Sequence, residues 1–410
     1  MKKPLEGVRI LDLTTFLSGP YAMMIAAYLG AEVIKVERPR TGDPVRANPP
    51  YSGPDGIVLE KRDDRDLSFS MLKRGRGKKS ITLNLQTDKG KGICKELVKK
   101  VDVVAENFAP GVMDRLGIGY GELKKIKPEI IFCSISGFGQ DGPYKNLPAF
   151  DPVVQGMSGV MEVTGYPENP PVRMGLAGGD QVAALYLVIG LLSALRYREK
   201  TGQGQAVDIS MMDSLFSLLF DEALDVYVAR GIPIRTGNRR LRLTPFNSYR
   251  AKDGYVVICT ASDVHWANLL KAMGKEDLLE DARYKTQDQR MKNADEVDAL
   301  VEGWTTGKEK REAVEILRKN GIASGIVATI PEVLQDPQLN FRGMVTDLLH
   351  PEFGKVEGAV GHGVPIKLSE SAGGFDRPGP YLGAHNEEIY CGWLGSSPED
   401  LKQWKQEGVI

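Results

Sequence analysis

The chain has 410 residues, of which 42% are hydrophobic and 26% are charged, a composition typical of a globular protein with room for two or three domains. Lysine and arginine number 53 against 54 aspartate and glutamate residues, so no net charge attracts nucleic acid or an anionic membrane. The four cysteines are widely spaced and form no CxxC pair, which favours reduced core thiols over disulfides or a zinc site.

The first forty residues predict a strand, a helix and a second strand. The apolar runs Val8–Leu13 and Glu32–Glu37 are typical of buried strands, and between them Ser18 can cap a helix that Gly30 ends. This order predicts a parallel βαβ unit of Rossmann-like type, with its ligand cleft at the carboxyl ends of the strands. The GxGxxG fingerprint is missing, so a dinucleotide is not expected. The N-terminus has no apolar run of secretory length, which predicts a cytoplasmic location.

Basic residues follow the early strands, at the edge where phosphates would bind. Arg38, Arg40 and Arg46 come after the second strand, and the run KRGRGKK at 73–79 precedes the next. These residues belong either to solvated loops or to a phosphate site. Aromatic residues do not alternate with the basic ones in 73–79, which argues against a nucleic-acid surface.

A third group of polar residues follows the predicted strand Val101–Glu106. Asn107 and Phe108 end this strand, and Arg115 lies one turn into a short helix. An amide, a flat ring and a guanidinium at a strand's carboxyl end suit an adenine nucleotide with phosphates. The next predicted strand, Ile130–Ser136, leads into the glycine-rich loop SGFGQDGPY beside the same cleft.

Asp180 lies between the glycine pair Gly178 and Gly179 and a long apolar helix predicted over 181–197. The ordinary interpretation makes Asp180 an N-cap whose carboxylate accepts first-turn amides, and the residues alone favour it. The alternative is a covalent nucleophile, because the glycines allow a ligand to approach and a helix N-terminus offers amides to a developing anion. The apolar run 182–195 is too short to span a bilayer.

The remaining chain predicts a second domain. A helix over 211–230 leads out to it, followed by a strand at 255–260 and helices near 266–273, 295–305 and 308–320. The arginines between 235 and 250 either are solvated and pair with local acids, or bind a second carboxylate on a substrate.

Seven segments carry motifs in a consistent order. They are GAEVIKVERP (30–39), ENFAPGVMDRLG (106–117), SGFGQDGPY (136–144), GDQ (179–181), REKTGQGQAVDISMMDSL (198–215), DPQLNFRGMV (336–345) and GPYLGAHNEEI (379–389). Together they resemble the class III CoA-transferases, also called CaiB/BaiF, which include formyl-CoA transferase and carnitine CoA-transferase. The resemblance covers nearly the whole chain.

The resemblance implies a catalytic mechanism and a site. Asp180 matches the family's nucleophilic aspartate, which replaces the capping interpretation, and would carry an aspartyl-CoA thioester. CoA and acyl-CoA would be substrates, with no tightly bound cofactor and no metal. The positions matching the CoA site are Arg38, Leu83, Asn107, Phe108 and Arg115. Those beside the acyl group are Phe150, Asp151 and Gly179, and the backbone amides of 179–181 are candidates for oxyanion stabilisation.

The sequence departs from formyl-CoA transferase-like members at three points. Leu17 replaces a glutamine, Gln86 replaces a phosphate-binding lysine of some members, and no oligoglycine lid is found. These departures argue against formate or oxalate and favour an acceptor with more apolar bulk. As a separate hypothesis, the donor is succinyl-CoA and the acceptor is a bulky or aromatic acid such as a benzylsuccinate-like dicarboxylate.

The resemblance also implies an architecture. A large Rossmann-like domain of 1–230 with 330–410 would accompany a small α+β domain of 231–329, in an interlocked-ring dimer with an identical or related subunit. Two alternatives stay open. An α-methylacyl-CoA racemase would need a histidine where this chain has Phe150, which cannot exchange a proton. A non-catalytic CoA-binding subunit would not need Asp180.

Overall fold

The computed structural model describes residues 2–410 as a mixed α/β protein. Numbered along the chain, the strands are β1 Arg9–Asp12, β2 Glu32–Glu37, β3 Tyr51–Gly53, β4 Gly56–Val58, β5 Leu67–Ser68, β6 Lys78–Thr82, β7 Val103–Glu106, β8 Ile131–Ser136, β9 Ala206–Ser210, β10 Phe246–Ala251, β11 Gly254–Cys259, β12 Ala323–Ile326, β13 Val345–His350 and β14 Gly354–His362. The helices are α1 Ser18–Tyr28, α2 Phe69–Arg74, α3 Asp88–Val98, α4 Val112–Arg115, α5 Tyr120–Ile126, α6 Asp151–Met157, α7 Val160–Val163, α8 Gly178–Thr201, α9 Met211–Leu219, α10 Leu224–Ala229, α11 Asp263–Met273, α12 Gln287–Lys292, α13 Ala294–Thr305, α14 Lys310–Lys319, α15 Ile330–Leu334, α16 Pro337–Phe341, α17 Asn386–Leu394 and α18 Pro398–Gln406.

The chain forms two compact units. The larger holds the described residues through Val160 together with Met174–Asp221 and Pro337–Ile410, and the smaller holds Met161–Arg173 and Glu222–Asp336. The chain therefore passes between units four times, after Val160, Arg173, Asp221 and Asp336. The sequence places domain boundaries only near residues 230 and 330.

A six-stranded sheet in the order β6-β2-β1-β7-β8-β9 forms the centre of the larger unit, and every neighbouring pair in it is parallel. This confirms the predicted Rossmann-like parallel sheet. Parallel strands covered on both faces are nearly continuous apolar runs, and β8 is buried at every residue. Helices α1 and α8 pack on one face, while α3, α5, α17 and α18 contribute to the core on the other. The carboxyl ends of the strands stay open at one edge.

Helix α8 begins earlier than the sequence predicts. Its N-cap is Ala177, and Gly178 and Gly179 are helical, so Asp180 lies in the first turn and the predicted Asp180 N-cap is wrong. The helix has 24 residues and is long and apolar enough to cross a membrane by length and composition, although half of that apolar window is buried inside the protein. The predicted Ser18 cap is also wrong, because Leu17 takes that position in α1.

The smaller unit is α+β, as predicted. The antiparallel sheet β10-β11-β12 packs against α11, α13 and α14 around Trp266 and Val301. The single helix predicted over 211–230 is instead divided into α9 and α10, because the chain leaves the larger unit between them.

Three arginines of the 235–250 segment pair with acids of the smaller unit. Arg239 binds Asp295 and Asp298 at 2.8 and 2.7 Å, and Arg240 and Arg242 both pair with Glu222. For these three, local pairing is the observed role.

Candidate active site

A cavity of about 1490 Å³ lies in the larger unit at the carboxyl edge of the parallel sheet. Its walls come from the segments that follow β1, β2, β6, β7 and β8, where a doubly wound sheet binds its ligands. Of the residues that the sequence proposes for the site, the lining includes Arg38, Leu83, Asn107, Phe108, Phe150, Asp151 and Asp180. Arg115, exposed at the end of α4, and Gly179, buried in α8, are not among the lining residues.

Asp180 faces this cavity from the first turn of α8. Burial, and next the charge of Asp151, raise the pKa of Asp180 to about 6, against hydrogen bonds from Ser18 and the positive charge of Arg74. With a pKa near 6, about nine-tenths of the carboxylates are still ionised at pH 7, so no general base is needed to activate Asp180.

Asp151 holds the start of α8 in place. Its Oδ1 accepts a hydrogen bond of 2.7 Å from the Gly179 amide, and its Oδ2 accepts one of 2.6 Å from Gln155 Nε2. Gln155 in turn accepts from the Met174 amide at 2.8 Å. These bonds fix the turn that presents Asp180 and place the Asp151 charge near it, so Asp151 has a positioning role.

The same bonds change the interpretation of the backbone amides. The Gly179 amide donates to Asp151, and the Gln181 amide donates to the Ala177 carbonyl at 3.0 Å. Both are engaged in this structure, so the predicted oxyanion role stays a prediction only for the amide of Asp180.

Asn107 connects the end of β7 to the start of α1. Its Oδ1 accepts from the Thr15 amide and its Nδ2 donates to the Thr15 carbonyl, both at 2.8 Å. Nδ2 also lies 3.4 Å from the Ser18 hydroxyl. The hydrogen bond that Ser18 donates to Asp180 lowers the pKa of that carboxyl group. Asn107 therefore fixes the loop beside the candidate nucleophile, a role that the sequence analysis did not assign.

The match to known proteins covers nearly the entire chain. The model of CoA-transferase family III matches residues 5–386. The chain belongs to this family. The predicted resemblance is thereby confirmed, and the activity is that of a class III CoA-transferase.

Several relatives support the same assignment. The succinyl-CoA–D-citramalate CoA-transferase of Chloroflexus aurantiacus is 36% identical, with coverage of 100% of this chain and 98% of the relative. The acetyl-CoA:oxalate CoA-transferase of Acetobacter aceti is 38% identical over 92% of both chains. A crystal structure of a CaiB/BaiF family protein from Brucella suis has a TM-score of 0.82 at 34% identity, covering 96% of this chain and all of the other.

Buried ion pairs of this CoA-transferase hold the loops that form the cavity wall. Lys35 pairs with Asp43 and Lys78 pairs with Asp12, each at 2.8 Å with almost no solvent exposure. Asp43 also accepts from the Phe16 amide at 3.2 Å, where Phe16 has a φ of 64°, unusual for a residue with a side chain. The sequence carries a signal only for Lys35, which lies between two apolar residues of β2, whereas Lys78 begins the mostly polar strand β6.

Arg46 has a structural role rather than the phosphate contact or solvated position that the sequence left open. Its guanidinium binds both carboxylate oxygens of Glu37 at 2.7 Å and donates to the Pro380 carbonyl at 3.2 Å. Arg38 and Arg40 of the same loop are exposed and line the cavity.

The pKa of Asp180 predicts a pH dependence. With Asp180 as the nucleophile, only its ionised form would attack, so kcat/KM for the acyl-CoA donor should fall about tenfold between pH 7.5 and pH 5, with a midpoint near 6. Steady-state kinetics over this range, with circular dichroism to verify folding at pH 5, would measure it. Burial also raises the pKa of Glu106 to about 7, so Glu106 is the other group that could titrate in this range. The control is Glu106→Gln, in which the fall in kcat/KM should keep its midpoint near pH 6. A flat profile down to pH 5 would contradict the assigned pKa.

Proposed function

We propose that this CoA-transferase moves CoA from an acyl-CoA, with succinyl-CoA as the donor, to a dicarboxylic acid through a thioester on Asp180. The observation that carries the proposal is the position of Asp180, a partly desolvated carboxylate in the cavity that Leu83 and Phe108 also line. That cavity exceeds the roughly 300–1,000 Å³ of common small-molecule pockets, which suits a substrate as large as CoA.

The reaction proceeds through two covalent states of Asp180. Its carboxylate attacks the thioester carbonyl of the donor, the C–S bond breaks, and a mixed anhydride and CoA thiolate form. The thiolate then attacks the Asp180 carbonyl carbon, which releases the donor acid and leaves an aspartyl-CoA thioester. The acceptor carboxylate attacks this carbonyl and displaces CoA thiolate, and the thiolate attacks the acceptor's acyl carbon. Asp180 returns as a carboxylate, and one thioester has replaced another without ATP.

The CoA moiety is proposed to bind at Arg38, Leu83, Asn107, Phe108 and Arg115. An exposed guanidinium at Arg38 is suited to the phosphates, and the apolar side chains of Leu83 and Phe108 are suited to the adenine. Arg115 is exposed on α4 outside the lining, and the Asn107 side chain is engaged with Thr15.

The acid class rests on the relatives and on the cavity wall. Relatives named for citramalate, oxalate, glutarate and mesaconate transfer all use dicarboxylic acids, and succinyl-CoA recurs among their donors. Phe16 and Phe150 line this cavity with their ring centroids 6.4 Å apart, and Leu17 lies beside them. An apolar wall of this kind favours a dicarboxylic acid with a bulky substituent, of which a benzylsuccinate-like acid is one example.

The active form is proposed to be a dimer, with an identical or related subunit. Leu185, Ile189 and Leu192 of α8 follow one another at helical spacing and are 49%, 58% and 41% exposed, and Phe216 of α9 is 51% exposed. Apolar residues grouped in this way are typical of a surface that another chain covers. Light scattering on the purified chain would measure the assembly.

The test is a panel of donors and acceptors assayed on the purified chain. Succinyl-CoA and acetyl-CoA are each incubated with mono- and dicarboxylic acids, and exchange of the α-deuterium of the acyl-CoA is followed in parallel. CoA exchange onto a dicarboxylic acid is expected. Loss of α-deuterium without CoA exchange would instead identify a racemase, although no described residue lining the cavity is a histidine. Binding of CoA with neither activity would indicate a subunit that depends on a partner.

A further inference from the structure

Arg74 is a cation of the cavity that the mechanism leaves without a role. It is the last residue of α2, a helix fixed by the buried side chains of Met71 and Leu72 and by a hydrogen bond of 3.2 Å from the Met71 amide to Ser68 Oγ. Its side chain lines the same cavity as Asp180. Its Nε is buried without a hydrogen-bond partner among the described residues. A buried guanidinium donor without a partner is costly, which points to a ligand that completes it.

The charges around Arg74 distinguish it from the other cations of the cavity. Lys35 is already paired with Asp43 at 2.8 Å, and Arg38 and Arg40 lie on the exposed loop after β2. Arg74 is a cation whose charge acts on Asp180. Burial lowers the pKa of Arg74, and the charges of Asp43 and Asp180 oppose this by favouring its protonated form. When Asp180 is acylated it loses its negative charge, so the attraction between Arg74 and an incoming anion is then strongest.

We infer that Arg74 binds the second carboxylate of the acceptor acid while the first attacks the acylated Asp180. The inference rests on the proposed function and adds the residue that selects dicarboxylic acids. A guanidinium can hold a carboxylate with two parallel hydrogen bonds, which fixes the orientation of the acid as well as its charge. Without Arg74, the second carboxylate of the acceptor would have to enter a partly desolvated cavity with no partner for its charge, which is strongly unfavourable.

The test compares a dicarboxylic acceptor with its half-amide, for example glutarate with glutaramate, using wild type and Arg74→Met. In a ping-pong reaction kcat/KM for the acceptor reports only its reaction with the aspartyl-CoA enzyme, so effects on the donor do not enter. The wild type is expected to prefer the diacid by about 10- to 100-fold, the effect of one charge-assisted interaction. Arg74→Met should lose this preference by lowering kcat/KM for the diacid and leaving the half-amide nearly unchanged.

Two further variants make the result decisive. Arg74→Lys keeps the charge but lacks the planar pair of donors, so it should recover part of the preference for the diacid. If Arg74→Met does not fold, Arg74→Lys is compared with the wild type instead. Arg311→Met, at an exposed arginine that pairs with Glu332 in the smaller unit, is the matched control and should behave as wild type.

An Arg74→Met enzyme that keeps the preference, or loses activity equally with both acceptors, would overturn the inference and leave the transferase function intact. A wild type that exchanges CoA without preferring the diacid would do the same. Absence of CoA exchange in the wild type with every pair would overturn the proposed function, and the inference with it.

Discussion

Replacement of Asp180 by alanine should reduce CoA transfer by at least about a thousandfold, the scale on which enzymes lose activity when their covalent nucleophile is removed. The other carboxylates that line the cavity are already engaged. Asp151 is held by Gly179 and Gln155, and Asp43 is paired with Lys35. Glu37 is bound by Arg46, and Glu407 pairs with Lys89. CoA binding should persist, because the proposed CoA-binding residues Arg38, Leu83 and Phe108 are unchanged.

The measurement combines steady-state kinetics with chemical trapping. During turnover the wild type is treated with hydroxylamine or borohydride, and mass spectrometry of its peptides should locate the modification at residue 180. Asp180→Asn is the matched control for shape, because it keeps the volume and removes the nucleophile, and it should be as inactive as Asp180→Ala. Turnover at wild-type rate in either variant, or trapping at a different residue of an active preparation, would refute the covalent role.

Replacement of Asp12 by alanine should destabilise the larger unit by about 3–5 kcal/mol, the usual cost of leaving a buried charge unpaired. Asp12 and Lys78 are both fully buried, and their charged groups lie 2.8 Å apart. Although burial alone would raise the pKa of Asp12, the charges of Lys78 and Lys35 lower it. This stabilisation is therefore present above the ordinary pKa of 3.8 and is lost as the pH falls through the lowered value.

Urea unfolding at pH 7 would measure the loss, by comparison of midpoints and slopes between variants, since a chain with two units need not unfold in one step. The control is the double variant Asp12→Leu with Lys78→Met, which removes both charges and should recover most of the stability. If Asp12→Ala lowers the free energy of unfolding by less than about 1 kcal/mol, the Lys78 charge is stabilised by groups other than Asp12. That result would contradict the importance assigned to the pair.

The sequence was sufficient for much of the fold, because apolar periodicity is a local property. The runs at 32–37 and 130–136 became parallel strands, and the antiparallel strand at 255–260 was predicted to within one residue at each end. The helix starts at Ser18 and Asp180 were misplaced for a reason that is also local. A polar residue beside glycine can serve as N-cap or lie in the first turn, and only the packing of α1 and α8 decides between them.

Family membership, the candidate nucleophile and seven residues of the cavity wall followed from the sequence alone, since motifs and their order are written in it. The tertiary structure alone decided how these groups interact. The pKa of Asp180 depends on burial and on the charges of Asp151 and Arg74, which are distant in the chain. In the sequence, Arg74 is one of five basic residues in the run 73–79. Folding likewise brings Arg46 to Glu37, which binds its guanidinium. A charge takes its function from the partners that folding brings within a few ångströms, and no spacing along the chain records them.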